Sequence, residues 1–276
     1  MKIKVIILFG LLTVLFQGCY TVEESMFFQP TKLEKLTSDY KFNDVYFPVE
    51  DSISLNGWYL SKENSDAIIL LLHGNTRNLY SYPWTNIINS LSMLNVDVFA
   101  IDYRGYGKST GQPSFKGIYK DSEAALDYLQ KHNPNNKPII IYGLSMGSIP
   151  AVKIATKNGV SGLILEGVLS STKDILDNIV SNFWLLHLVK IKYNEELEFD
   201  NSVEIKSVKS PVLIIHGKND NLPESMSLKL YDSVSNANKQ YWLVKKGNHI
   251  DTYKVEPEEY ILKISKFISE CKNSNR

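Results

Sequence analysis

Five short stretches of the chain are apolar with little polar alternation: residues 67–72 (AIILLL), 96–101 (VDVFAI), 138–142 (PIIIY), 162–165 (GLIL) and 211–215 (PVLII). A strand with one wet face alternates apolar and polar residues, so these runs predict strands buried on both faces. Between and after them lie helix-length segments at 78–94, 117–132, 146–158, 223–234 and 257–271, the last opening on Pro257, which suits a first helical position. Buried strands alternating with helices predict an α/β fold: a mostly parallel central sheet flanked by helices. Two further strands, 45–49 and 53–60, precede it around Glu50-Asp51, a hairpin-like pair. With 276 residues, 43% of them hydrophobic, the chain holds one large domain or two small ones. About 45 residues separate the fourth apolar run from the fifth. A crossover needs far fewer, so a short helical lid is expected at about 168–208.

The amino terminus reads differently. Lys2 and Lys4 lead an apolar run, 5–16, that ends near Gly18 and Cys19. At about 1.5 Å per residue such a run falls short of the ~30 Å hydrocarbon core, which favours a secretory signal over a spanning helix. Leu15-Phe16-Gln17-Gly18-Cys19 resembles the lipobox of bacterial lipoproteins, although Phe16 departs from the small or branched residue usual there. The resemblance implies a signal peptide over 1–18, cleavage before Cys19, lipid attached to Cys19, and export to the cell envelope on a membrane anchor. An ordinary signal peptide or an uncleaved anchor are the alternatives. Residues 19–42, mixed and polar with an apolar clasp at Met26-Phe27-Phe28, are expected to be a tether, and 43–276 the folded domain.

Thirty basic residues balance thirty acidic ones, which leaves no excess of positive charge for nucleic acid. Two cysteines, Cys19 and Cys271, can build neither a disulfide scaffold nor a Cys-rich zinc site, and the expected chemistry needs no cofactor or metal.

That chemistry starts at Gly143-Leu144-Ser145-Met146-Gly147, which directly follows one buried run and opens a helix. A serine at a sharp strand-to-helix turn has its hydroxyl lifted out of the sheet, and the following amide, that of Met146, sits where a helix terminus favours an oxyanion. Serine needs a base. Of the five histidines, His249 lies in a loop after the strand-like 240–244, whereas His73 and His216 end buried runs beside glycine, His132 sits in a polar turn, and His187 lies in the lid's apolar stretch, 183–188. Among acids at strand ends, Asp220 suits the orienting role. Asp102 and Glu166 read as holders of loop backbone, and Asp251 is too near His249 to reach its ring from behind. Ser145, Asp220 and His249 then occur in the order Ser…Asp…His, which separates this arrangement from other serine-triad folds. His73-Gly74-Asn75 offers the second oxyanion donor, the amide of Asn75.

Together with Asp102-Tyr-Arg-Gly-Tyr-Gly-Lys-Ser109 and His216-Gly-x-x-Asp220, these motifs resemble the α/β-hydrolase family over most of the chain from about residue 28, in a subgroup that includes protein depalmitoylases and serine aminopeptidases. The resemblance implies a serine hydrolase acting on a small or acylated substrate, an ester or thioester first, with an amide as the alternative. A membrane-tethered binding protein on a decayed hydrolase fold is the rival of another class. Gly247-Asn-His-Ile250 departs from the Gly-x-His-Asn of many members and blurs the subgroup. The apolar lid residues suggest an acyl or aromatic substrate, or simple packing onto the body. The oligomeric state is not encoded in any motif.

Overall fold

A computed structural model describes residues 19–32, 42–50, 52–183 and 190–274. In chain order the strands are β1 (Cys19–Val22), β2 (Gln29–Pro30), β3 (Asn43–Glu50), β4 (Ile53–Leu60), β5 (Ile68–Leu72), β6 (Thr76–Arg77), β7 (Asp97–Asp102), β8 (Ile139–Leu144), β9 (Val160–Glu166), β10 (Lys190–Tyr193), β11 (Val212–Gly217) and β12 (Lys239–Val244). The helices are α1 (Trp84–Ser92), α2 (Phe115–Lys131), α3 (Ser148–Ala155), α4 (Thr172–Asn182), α5 (Asn201–Glu204), α6 (Glu224–Ser233), α7 (Thr252–Val255) and α8 (Pro257–Ser274).

Eight strands form the central sheet in the order β3-β4-β7-β5-β8-β9-β11-β12. Only β4 runs against the rest, pairing antiparallel with β3 and β7. The five apolar runs are the five inner parallel strands, and β5, β7, β8 and β11 are buried at every position. Their side chains alternate between two layers. Ile68, Leu70 and Leu72 of β5 join a core covered by α2, α3 and α6, while Ile69 and Leu71 join the opposite core beneath α1 and α8. Each fully buried Leu or Ile contributes about 1.5–3 kcal/mol, so both faces reject polar substitutions.

The chain runs from β5 to β7 on one side and then crosses to β8 on the other, so β5 and β8 flank the point where strand order reverses. Open α/β sheets leave a crevice there, at the carboxyl ends of the strands.

Three expectations change. First, α1 starts at Trp84 rather than near 78. The Asn78 side chain instead accepts from Tyr80 N (2.9 Å) and donates to the Thr31 and Lys32 carbonyls (both 3.0 Å), a local competition that keeps Asn out of helix interiors. Second, residues 19–32 do not hang as a tether. β1 pairs with β10, β2 pairs with β6, and Val22 and Phe28 are buried. Their apolar clasp finds a partner in the ring of Phe115, 5.2 Å from that of Phe28. Third, the lid region is not wholly helical: its described elements are α4, β10, α5 and two 3-10 turns at Glu195–Leu197 and Ile205–Ser207, and Phe183, left open by the sequence between substrate contact and packing on the body, is 46% exposed. The signal sequence over 1–18, Asp51 of the hairpin pair, and Trp184 to Leu188 with His187 lie outside the described residues. Among the described residues no helix is long and apolar enough to cross a membrane.

Candidate active site

Ser145 follows β8 directly and has φ +54°, the left-handed region that costs an L-residue roughly 1–2 kcal/mol. The flanking glycines make the turn possible. A Cβ on Gly147 would stand 2.0 Å from the Leu72 carbonyl oxygen, and one on Gly143 would stand 2.5 Å from the Ala151 methyl. The serine is therefore held out at the carboxyl end of β8, with β5 beside it.

The His249 ring approaches from the loop after β12. Its Nε2 lies 2.8 Å from Ser145 Oγ, and its Nδ1 lies 2.9 and 3.0 Å from the two carboxylate oxygens of Asp220. A carboxylate only accepts, so Nδ1 carries the proton and Nε2 is free to accept from the serine hydroxyl. Asp220 stands just past β11 with its side chain fully enclosed, and its Oδ1 also accepts from Leu222 N at 2.8 Å. The imidazole is 30% exposed. Behind the ring sits Gly167, φ +61°, whose absent Cβ would fall 2.8 Å from His249 Cε1. Ile250, next in the chain, has φ +49°. Asn takes up this conformation more readily than a β-branched residue, so the departure from Gly-x-His-Asn leaves strain beside the imidazole.

Ser145, His249, Asn75 and Met146 line one cavity of about 290 Å³, so the two proposed amide donors share a space with the hydroxyl. The Asn75 carbonyl is held by Gln29 N at 2.9 Å and by the Tyr106 hydroxyl at 2.7 Å, which anchors that loop.

The competing residues are engaged elsewhere. Asp102 Oδ1 accepts from Leu79 N (3.0 Å) and lies 3.4 Å from His73 Nε2, both side chains fully buried. Asp251 accepts from Asn248 N, 2.7 Å away. His216 shares a hydrogen bond with Ser227 (3.0 Å), and burial pulls its pKa down. His132 is exposed and stacks on Tyr128. Glu166 accepts from the Tyr142 hydroxyl (2.5 Å) and from Thr252 N (3.2 Å), so it ties the loop carrying His249 to the end of β9, and burial raises its carboxyl above the ordinary range. Cys19 opens β1 opposite Lys190 of β10.

Some residues of the cavity escaped the sequence. Phe27, Phe115, Leu169, Ile175 and Leu222 form its apolar wall. Only Phe27 carried a local signal, as part of the clasp, and nothing in its spacing pointed at Ser145.

The comparisons agree with this fold. The sequence model for serine aminopeptidase, S33, matches residues 63–192, a span that contains Ser145 and ends before Asp220 and His249. Protein bem46 of Schizosaccharomyces pombe is 32% identical over 232 residues, 79% of this chain and 76% of that protein. Among solved structures, the esterase Pf2001 of Pyrococcus furiosus superposes with a TM-score of 0.72 at 23% identity, covering 88% of this chain and 98% of its own. The α/β hydrolase GrgF of a Penicillium species gives 0.70 at 15% identity, over 85% and 100%. The chain belongs to the α/β-hydrolase family.

Proposed function

We propose that the protein is a serine hydrolase that cleaves a carboxylic ester or thioester through an acyl-enzyme on Ser145. The observation that carries this reading is the continuous hydrogen-bonded line from Ser145 Oγ through His249 to Asp220. In the first half-reaction Oγ attacks the acyl carbonyl carbon while Nε2 takes its proton, leaving an oxyanion that faces the amides of Asn75 and Met146. The tetrahedral carbon then expels the alcohol or thiol, which leaves with the proton from Nε2. Water repeats the sequence on the acyl-serine, giving its proton to Nε2, and the serine regains a proton as the acid departs. Asp220 holds the imidazole in the tautomer this needs and offsets its transient positive charge.

The wall of the cavity favours an acyl group over a charged peptide end, and the resemblance in fold to an esterase points the same way. The description of the matched family supports the second reading, an aminopeptidase, and the same machinery would serve it. The wild type is expected to turn over p-nitrophenyl butyrate and to react with a fluorophosphonate, with aminoacyl p-nitroanilides as poor substrates. Ser145→Ala is expected to lose both reactions, kcat falling about 10⁴-fold or more with the fold intact. Retained turnover in that variant would refute the mechanism, and faster cleavage of the anilides would assign the peptidase.

The pattern at 15–19 supports a companion proposal, that Cys19 is lipidated and holds the enzyme on a cell-envelope membrane. Mass spectrometry of protein extracted from membranes tests it. A chain beginning at an unmodified residue other than Cys19 would reject it.

A further inference from the structure

The cavity beside Ser145 is walled in part by a residue from far up the chain. Phe27, half-buried, lines it together with Phe115, Leu169, Ile175 and Leu222, while Asn75, Ser145 and His249 supply its polar end. At about 290 Å³ it sits at the small end of ligand cavities, typically ~300–1,000 Å³. A small space with one reactive polar end and an apolar remainder suits a short acyl chain.

Phe27 is anchored through its neighbours on both sides. On its amino-terminal side Val22 is buried, and β1 lies along β10 of the lid region. The Glu24 carboxylate accepts from the amide of Phe115, in the first turn of α2. On its carboxyl-terminal side Phe28 is buried against Phe115, and Gln29 N reaches the Asn75 carbonyl. The Phe27 ring meets that of Phe115 edge-on, centroids 5.5 Å apart at 65°, an arrangement favoured by the ring quadrupoles. A ring pinned from both sides and packed on a helix residue is a fixed wall and yields little to a longer chain.

We infer that Phe27 is a specificity-determining residue that limits the acyl chain the site accepts, making the protein an esterase or thioesterase for short acyl groups. The inference deepens the reading of Ser145 as nucleophile and rests on it.

The experiment compares wild type, Phe27→Ala and Phe27→Trp on p-nitrophenyl acetate, butyrate, octanoate and dodecanoate. Wild type is expected to prefer acetate and butyrate. Phe27→Ala is expected to raise kcat/KM for octanoate relative to butyrate about tenfold, the discrimination that one or two methylenes in an apolar pocket supply. Phe27→Trp is expected to lower the same ratio. A merely structural role would scale all four esters together, so an unchanged ratio in both variants overturns the inference. A wild type that prefers dodecanoate overturns it as well. If wild type neither hydrolyses an ester nor reacts with a fluorophosphonate, the nucleophile reading has failed instead. Calorimetric titration of the same three proteins with butyrate and octanoate then reads the wall directly, and equal relative affinities across them overturn it.

Discussion

Among the described residues two histidine–aspartate pairs stand at the carboxyl ends of parallel strands, and their surroundings are opposite. In one, Asp220 sits at the Nδ1 side of His249, the serine hydroxyl sits at Nε2, and the ring opens onto the cavity. In the other, Asp102 lies at the Nε2 side of His73, whose Nδ1 reaches only the Gly74 carbonyl at 2.6 Å, and the ring is sealed among Trp84, Tyr103 and Tyr106. Residue type and strand end are alike. What separates them is access: one imidazole has a serine hydroxyl on its far nitrogen and a path to solvent, and the other has a backbone oxygen and none.

The sharpest way to break this contrast is to neutralise each aspartate in turn. Asp220→Asn is expected to cost about 10⁴-fold in kcat, because the amide no longer enforces the Nδ1–H tautomer, with thermal stability nearly kept. Asp102→Asn is expected to do the reverse, destabilising the fold by about 1–3 kcal/mol while turnover survives, because the amide oxygen can still accept from Leu79 N but its NH2 is buried where Oδ2 has no partner. Urea titrations and ester kinetics on both variants check this, and matched losses of activity would erase the distinction. A smaller effect sharpens it. Gly167→Ala places a methyl against the back of the His249 ring, with kcat expected to fall about 10²-fold from misplacement and stability by about 1–2 kcal/mol from the left-handed backbone.

The smallest effect concerns pH. Burial raises the Glu166 carboxyl, so the folded chain keeps that proton at pH values where the unfolded chain has released it. The native state then binds more protons than the unfolded one, and stability falls as pH rises above 4.5 toward the raised value. Glu166→Gln is expected to flatten this part of the profile, measured as urea midpoints across pH. Asp121, raised by burial even though Arg104 bonds it, leaves a residual slope of the same sign.

Much of this was legible in the sequence because it depends on local chemistry. Apolar runs this short, separated by helix-length segments, read as strands covered on both faces, and β5, β7, β8, β9 and β11 are such strands. Glycines on both sides of Ser145 report backbone contacts that no side chain could share. The meeting of Ser145, Asp220 and His249 followed from placing each at a strand's carboxyl end, since a parallel sheet brings all such ends to one rim. Elements that rely on distant partners were opaque. β1 needs β10 about 170 residues away, and β2 needs β6, so residues 19–32 carry no periodicity of their own and resemble a tether until their partners are in place. Strain at Ile250 is invisible for a similar reason, being imposed by the surroundings of a loop rather than chosen by its residue.

The placement of Phe27 gives the enzyme a long assembly order. One wall of the crevice is synthesised at residue 27 and the imidazole at residue 249, with the hydroxyl, at residue 145, between them. A ribosome-bound fragment therefore holds at most an unfinished pocket until residue 249 has emerged. An intact site is thereby a report on the chain from residue 27 to residue 249.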